Sequence, residues 1–401
     1  MSFTILTIII FVIIKDFCLI KIIKIIKFNF YFFTKTWELR KLNDVVSVTM
    51  GQSPKSSNYT NNPKDYILVQ GNTDIVDGWV KPRIWTKQIT KSAKKGSTLL
   101  SVRAPVGDVS STNYDIVIGR GIAALSENSF IFQLLKKIKS SGYWNKLTTG
   151  STFESINSDD IKNLNFYIPF NIAEQKKVSD LLSLIDNSVA LQQRQLDSYN
   201  KLKKGLLQKL FPKDGERVPE VRFADFHEDW EQRKLKDLAN VIGGGTPSTK
   251  IGEYWNGDID WYSPVEIGKS IFVNHSQKRI TKLGLNKSSA KILPINTLLF
   301  TSRAGIGNTA ILKKEGTTNQ GFQSIVPIKD KLDIYYLYSN SDKLKRYGER
   351  VGGGSTFTEV SGKQMKEMPI TIPTIHEQKN IGHIFQLLDF QILLQENNLK
   401  N

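Results

Sequence analysis

The sequence predicts an α+β fold: two tandem, mixed and β-rich domains separated by long helices that pair as an antiparallel coiled coil, with pseudo-two-fold symmetry. Three observations carry this expectation. The chain repeats itself at an offset near two hundred residues, each copy is a series of short strands broken by polar turns, and each copy ends in a heptad-patterned helix. At 401 residues the chain is also too long for one ordinary core, so two domains are the prior expectation.

The first element departs from everything after it. Residues 5–14 read ILTIIIFVII, Lys15 and Asp16 interrupt them, and KIIKIIKF at 21–28 sets lysines three apart. No uninterrupted run reaches the roughly 20 apolar residues a spanning helix needs, and no basic start with a small-residue cleavage site marks a signal peptide. Segment 1–35 is read as a displaced or misassigned start, in preference to a membrane-surface helix or an anchor.

The repeat begins at WELRKLNDV (37–45), matched by WEQRKLKDL (230–238) at an offset of 193. LLSVRAPVGDV (99–109) parallels LLFTSRAGIGNTAI (298–311) and pairs Arg103 with Arg303 at an offset of 200. GSTFESIN (150–157) returns as GSTFTEVS (354–361) at 204, and FYIP (166–169) then answers to ITIP (370–373). Loop insertions account for the drift, so the chain is a tandem duplication. Inside the copies, YILVQ (66–70), GSTLLSV (96–102) and NTLLFTS (296–302) read as strands bounded by Gly, Asn and Ser turns.

Each copy closes on a helix with a written start. Asn171-Ile172-Ala173-Glu174 and Thr374-Ile375-His376-Glu377 are capping boxes, in which a side-chain oxygen accepts from a free backbone N–H and the Glu reaches back. Val178, Leu182, Ile185, Val189, Gln192, Leu196 and Tyr199 then alternate by four and three; Ile381, Phe385, Leu388, Ile392, Gln395 and Leu399 repeat the pattern 203 residues later. A seam of that period calls for a second helix. The first helix, about forty residues and roughly 60 Å long, exceeds what its own domain can cover, so the two helices are expected to pair. The resulting division is 1–35, a first domain at 36–170, a helix at 171–211, a linker at 212–229, a second domain at 230–373 and a short helix at 374–401.

Charge and motifs then narrow the function. Lys and Arg number 55 against 38 acids, giving +17 at pH 7, and so large an excess attracts polyanions, nucleic acid foremost. Cys18 is the one cysteine, which excludes an internal disulfide framework and a Cys-cluster zinc site. The loops MGQSP (50–54), QGNTDI (70–75), GGGTPSTK (243–250) and NQGFQS (319–324) carry side chains able to bond base edges and phosphates. Catalytic signatures fail one by one. Ser263 stands where the P-loop preceding Gly268-Lys269-Ser270 needs its first Gly. GGGT (243–246) lacks the rest of a dinucleotide fingerprint, Asn62-Pro63-Lys64 departs from an adenine-methylating box, and the histidines lack metal spacing. Asp159-Asp160 is expected to open a helical turn rather than to bind Mg²⁺.

Taken together, the tandem order, the WE entry, GQSP followed by QGN, GGTP followed by EYWNGDIDW (253–261), GSTF, the EQK helix starts and the lead-in RVPEVRFADFHEDWE (217–231) carry a resemblance. Over residues 36–401 the chain resembles the specificity subunit of a type I restriction-modification system. The resemblance implies that each globular copy is a target-recognition domain reading one half of a split duplex-DNA site. It implies a helical spacer that docks two methyltransferase subunits and, through them, restriction/translocase subunits. It implies no small-molecule substrate, a cytoplasmic location, and no cofactor in this chain, with S-adenosylmethionine, ATP and Mg²⁺ belonging to the partners. By motif position the expected DNA contacts are Gln52, Ser53, Gln70, Asn72 and Arg103, then Thr246, Ser248, Lys250, Arg303, Asn319 and Gln320. The chain departs from the family pattern before Trp37 and at its last helix, which stops at a position matching Ser198 of the first copy. The alternatives are a stand-alone two-domain DNA-binding regulator and an inactive copy of the same subunit.

Overall fold

The computed structural model describes residues 37–148, 155–303, 305–353 and 359–400. Segment 1–35 and both GSTF stretches, 150–153 and 354–357, lie outside the described residues. The chain forms two compact units, the first ending at Val189 and the second beginning at Ala190.

In the first unit, β1 (Trp37–Lys41) leads to β2 (Val48–Met50), β3 (Tyr66–Val69), β4 (Thr98–Ser101), β5 (Val109–Ser111), β6 (Ile116–Ile118) and β7 (Ile122–Leu125). Strands β2, β7, β4 and β5 lie in that order in one sheet, and β3 pairs in parallel with β6 in a second. Leu99 and Leu100 are both fully buried because side chains alternate across a strand. Leu100 joins Ala123 in one core, while Leu99 joins Ile122 in the other. A sheet covered on both faces accepts an unbroken apolar run, which is why GSTLLSV shows no polar alternation. Helix α1 (Ser129–Ser140) starts at Asn128, whose side chain accepts from the Ile131 N–H at 3.1 Å. The Asp159-Asp160 turn forms as expected, capped by Asn157 over Ser158–Lys162. Strand β8 (Asn165–Pro169) then pairs antiparallel with β1 and delivers the chain to α2 (Ile172–Lys209).

The second unit repeats the plan. Strands β9 (Glu231–Lys234), β10 (Ala239–Gly243), β11 (Trp255–Tyr262), β12 (Leu298–Phe300), β13 (Thr309–Leu312) and β14 (Gln323–Pro327) precede α3 (Ile334–Ser339) and α4 (Ser341–Gly352). β15 (Pro369–Ile372) and α5 (Ile375–Lys400) follow. The sheet order β10, β14, β12, β13 reproduces β2, β7, β4, β5, and β15 pairs with β9 as β8 pairs with β1.

Beside that last pair, Lys234 and Lys236 each reach Glu367 at 2.6 Å. Their hydrogen bonds and charges hold the Glu367 carboxyl at about 2. A carboxyl depressed in the fold stabilises it above the ordinary value of 4.5, and that contribution is lost as pH falls through about 2. Glu367→Gln is expected to flatten the acid limb of the stability curve between those two values. Denaturant midpoints across a pH series, at low salt because the pair is exposed, check this.

Both terminal helices start where expected, and their EQ dipeptides acquire specific tasks. Asn171 Oδ1 accepts from the Ala173 N–H at 2.8 Å, and Gln175 Nε2 donates to the Pro169 carbonyl at 2.8 Å. Gln378 Nε2 likewise donates to the Pro373 carbonyl at 3.0 Å, so each Gln latches a helix onto the strand before it. The glutamates also reach partners far away in the chain. Glu174 accepts from the Trp37 indole at 3.2 Å, and the fully buried Glu377 takes both Nε and Nη2 of Arg222 at 2.8 and 2.9 Å.

The helical seam also needs correction. Val178 packs on the first unit's core, where Gln133 and Lys136 of α1 hold Asp186 of α2 at 3.1 and 2.6 Å. Leu182, Ile185 and Val189 remain 40%, 41% and 50% exposed. On α5, Ile381, Phe385 and Leu388 are buried, but among Tyr335 and Tyr336 of α3 as well as Leu210 and Phe211. Gly382 permits this approach, since a Cβ there would stand 2.6 Å from Asp333 Oδ1. The end of α2 does run antiparallel to α5: Lys203 bonds Asp389 at 2.5 Å and Gln395 bonds Gln195 at 3.4 Å. Leu196, Ile392 and Leu399 are half-buried. The seam thus serves helix pairing and the globular core together, because α3 lies against the same face of α5.

Candidate nucleic-acid interface

In the first unit the expected residues converge through two tight backbone contacts. Gly51 closes β2, and a Cβ on it would lie 2.1 Å from the Gly119 carbonyl oxygen, so only glycine lets this loop press on residues 118–122. The Gly51 N–H donates to the Ile122 carbonyl and the Gln52 N–H to the Ile118 carbonyl, each at 2.9 Å. Ser53 Oγ then accepts from the Arg120 N–H at 3.2 Å. Beyond β3, the Gln70 N–H donates to the buried Asp74 at 2.8 Å, and Gln70 Nε2 donates to the Tyr59 hydroxyl. Ser53, Gln70, Asn72 and Arg103 line one recess of about 720 Å³, together with Tyr59 and Arg120. Gln52 is not among its lining residues; its carbonyl accepts from Thr90.

Asn72 is less available than its position in the sequence implied. Its Nδ2 donates to Asp108, and its Oδ1 is buried with no partner among the described residues. Arg103 bridges through its backbone to Ser155, and the Ser101 hydroxyl fixes its carbonyl at 2.9 Å, so the strand end and not the side chain is tied down.

The second unit builds the same scaffold. A Cβ on Gly244 would meet the Asn319 carbonyl oxygen at 1.9 Å, and the Gly245 N–H donates to the Thr318 carbonyl at 2.8 Å. The Asn319 N–H donates to the Tyr262 carbonyl at 3.0 Å, as the Gly119 N–H donates to the Val69 carbonyl at 2.7 Å. The Ser302 N–H donates to the Gly321 carbonyl at 2.8 Å, as the Val102 N–H donates to the Gly121 carbonyl at 2.9 Å. Thr246 Oγ1 donates to Gln320 Oε1, and Asn319 Oδ1 accepts from the Gly321 N–H at 2.8 Å. Gly321 sits against Pro264 and Arg303; a Cβ on it would lie 3.0 Å from the proline ring and 3.3 Å from the guanidinium Nε. Thr246, Arg303, Asn319 and Gln320 are therefore one cluster. Ser248 and Lys250 lie farther along the same loop, where the Ser248 carbonyl accepts from the Trp255 indole at 3.1 Å.

These matched bonds expose residues that the motifs alone did not single out. Arg120 occupies in the first copy the place of Gln320 in the second, and the offset of 200 that pairs Arg103 with Arg303 was the available signal. Ser263 answers to Gln70: its N–H bonds the Glu266 carboxylate at 2.8 Å as that of Gln70 bonds Asp74. Below the second cluster, Asp260 on β11 anchors Lys314 at 3.1 Å. Burial pushes its carboxyl up, but hydrogen bonds from the Ser276 backbone and Lys314 outweigh burial and hold it below the ordinary value. Arginine, amide and hydroxyl groups grouped at loop ends suit base-edge and phosphate bonding. Among the described residues, no group of three or more His, Cys, Asp or Glu is placed to hold a metal ion, and no helix is long and apolar enough to cross a membrane.

Comparison with known proteins points the same way. Residues 34–200 and 227–401 each match the family model described as type I restriction modification DNA specificity domain. The chain is 41% identical over 165 residues to the MjaIX type I restriction enzyme specificity subunit of Methanocaldococcus jannaschii, covering 40% of this chain and 38% of that protein. It is 30% identical over 168 residues to a type I restriction enzyme specificity subunit of Escherichia coli, covering 40% of this chain and 41% of that protein. Each match thus spans less than half of the relative's own length. A crystal structure of a type I restriction-modification system S subunit from M. genitalium superposes with a TM-score of 0.58 at 16% identity, over 91% of this chain and 92% of that one, which is a likeness of fold.

Proposed function

Because the chain belongs to the type I restriction modification DNA specificity domain family, we propose that it is the sequence-reading, non-catalytic subunit of a type I restriction-modification complex. Each unit reads one half of a bipartite duplex target through its loop cluster. The helices dock two methyltransferase subunits, and the restriction/translocase subunits join through them. Adenine methylation and ATP-driven cleavage belong to those partners, as do S-adenosylmethionine, ATP and Mg²⁺, and the complex works in the cytoplasm.

The observation that carries this reading is the pair of matched loop clusters. Backbone bonds are conserved between the copies of this one chain, while the side chains they present differ. Gln70 faces Ser263, Ser53 faces Thr246, and Arg120 faces Gln320 across the repeat. A fixed scaffold with exchanged side chains is what two readers of different half-sites require, and differing half-sites make the target asymmetric. The net charge of +17 supports phosphate attraction alongside base reading.

Co-expression with a type I methyltransferase subunit tests this. A stoichiometric complex that binds one duplex sequence well above its competitors is expected. Tight specific binding by the chain alone, with no affinity for the methyltransferase, would replace the reading with that of a stand-alone DNA-binding protein.

A further inference from the structure

We infer that positions 120 and 320 are equivalent base-reading positions, and that their exchange of arginine for glutamine sets guanine against adenine in the two half-sites. The inference rests on the proposed reading of DNA and deepens it.

Equivalence comes from the backbone bonds of the residues flanking the two positions, 119 and 121 in one copy and 319 and 321 in the other. Residues 119–121 read GRG and residues 319–321 read NQG. The first residue of each triplet donates its N–H to a strand-end carbonyl, Val69 or Tyr262. The third offers its carbonyl to the strand that ends in the paired arginine, through the Val102 or the Ser302 N–H. The middle residue meets the hydroxyl of the facing loop by different atoms, Arg120 through its backbone N–H to Ser53 and Gln320 through its side-chain Oε1 to Thr246, and those two hydroxyl residues are equivalent at the offset of 193. Arg120 and Gln320 are both exposed. Each stands beside the arginine of its own cluster, since Arg103 and Arg120 line one recess and Gly321, next to Gln320, packs on Arg303.

The chemistry at this position differs in kind. Arg120 is held only through its backbone: its N–H goes to Ser53, and its guanidinium makes no hydrogen bond, ion pair or ring contact among the described residues. A free guanidinium is all donor and matches the O6 and N7 acceptors of guanine. Gln320 is held by its side chain, because Thr246 donates to Oε1. That bond orients the amide and leaves Oε1 one lone pair and Nε2 its two hydrogens. An amide so placed accepts from adenine N6 and donates to adenine N7. Thr246 is thereby a positioning residue for the amide, whereas Ser53 positions the backbone at 120.

The experiment uses the full chain in complex with its methyltransferase, with duplexes selected from a randomised pool by wild type, Arg120→Gln and Gln320→Arg. Arg120→Gln is expected to change one base pair of one half-site from G·C to A·T, leave the other half-site unchanged, and weaken the original target about tenfold to a hundredfold. Gln320→Arg is expected to do the reverse in the other half-site. Weakening of all sequences alike, with a shallower salt dependence, would make Arg120 a phosphate contact and overturn the inference. An unchanged motif in both variants would overturn it as well. In both of those cases a wild-type preference for a split site leaves the proposed function standing, whereas a wild type with no preferred sequence removes both.

Discussion

Replacing Arg222 with alanine is expected to destabilise the second unit by about 3–5 kcal/mol, the range for stripping one partner from a buried ion pair. Glu377 is fully buried at the start of α5 and Arg222 is nearly so, and the two are joined by a two-pronged contact at 2.8 and 2.9 Å. Donating to Glu377 raises the Arg222 guanidinium above its ordinary value. Without the arginine, the carboxylate keeps its desolvation cost and loses what offsets it. Lysine at 222 restores charge but not the planar fork, so it recovers part of the loss. Arg222→Ala combined with Glu377→Gln should be less damaging than the single variant, since no unpaired charge stays buried. Denaturant unfolding of the three variants, followed by a signal from the second unit's tryptophans, checks the order. Equal losses in the single and double variants would contradict it.

Phe385→Ala is expected to cost about 3–5 kcal/mol, the range for emptying a buried aromatic site. Phe385 is fully buried, stacks on Phe211 with ring centroids 5.9 Å apart at 23°, and shares its core with Trp230 and Tyr336. Phe211 follows α2 directly, so one ring ties the end of α2 to α5 and to the sheet unit. The loss should therefore appear in stability and also in the pairing of the two helices, next to the link between Lys203 and Asp389. Phe385→Leu, which leaves a smaller void, should lose markedly less. A Phe385→Ala protein as stable as wild type in denaturant titration would show that the seam carries little of the second unit's stability.

The legible part of this fold was whatever a local pattern or the repeat could carry. YILV, TLLS and LLF became strands within a residue or two of their predicted ends, and both terminal helices begin at the predicted polar caps. The repeat also located both loop clusters, because Arg103 and Arg303, like Gly51 and Gly244, hold the same places in their sheets. Long-range partners were not legible. Nothing local to Glu377 names Arg222, which is 155 positions away, and nothing local to Asn72 announces that Asp108 takes its amide. The seam on α5 was legible only in part for a related reason: an apolar stripe of heptad period records that a face is covered, not which elements cover it, and α3 shares that face with the end of α2. Arg120 escaped because arginine beside two glycines looks like an ordinary turn until the backbone bonds set it opposite Gln320.

The most direct test is a genome-wide map of methylated adenines in cells making this chain together with a type I methyltransferase subunit. Two loop clusters with a shared scaffold and different side chains predict one asymmetric motif, two short half-sites separated by a fixed gap, methylated only when the chain is present. Methylation that ignores the chain, or a motif without two parts, would contradict the reading of these units as a paired set of DNA half-site readers.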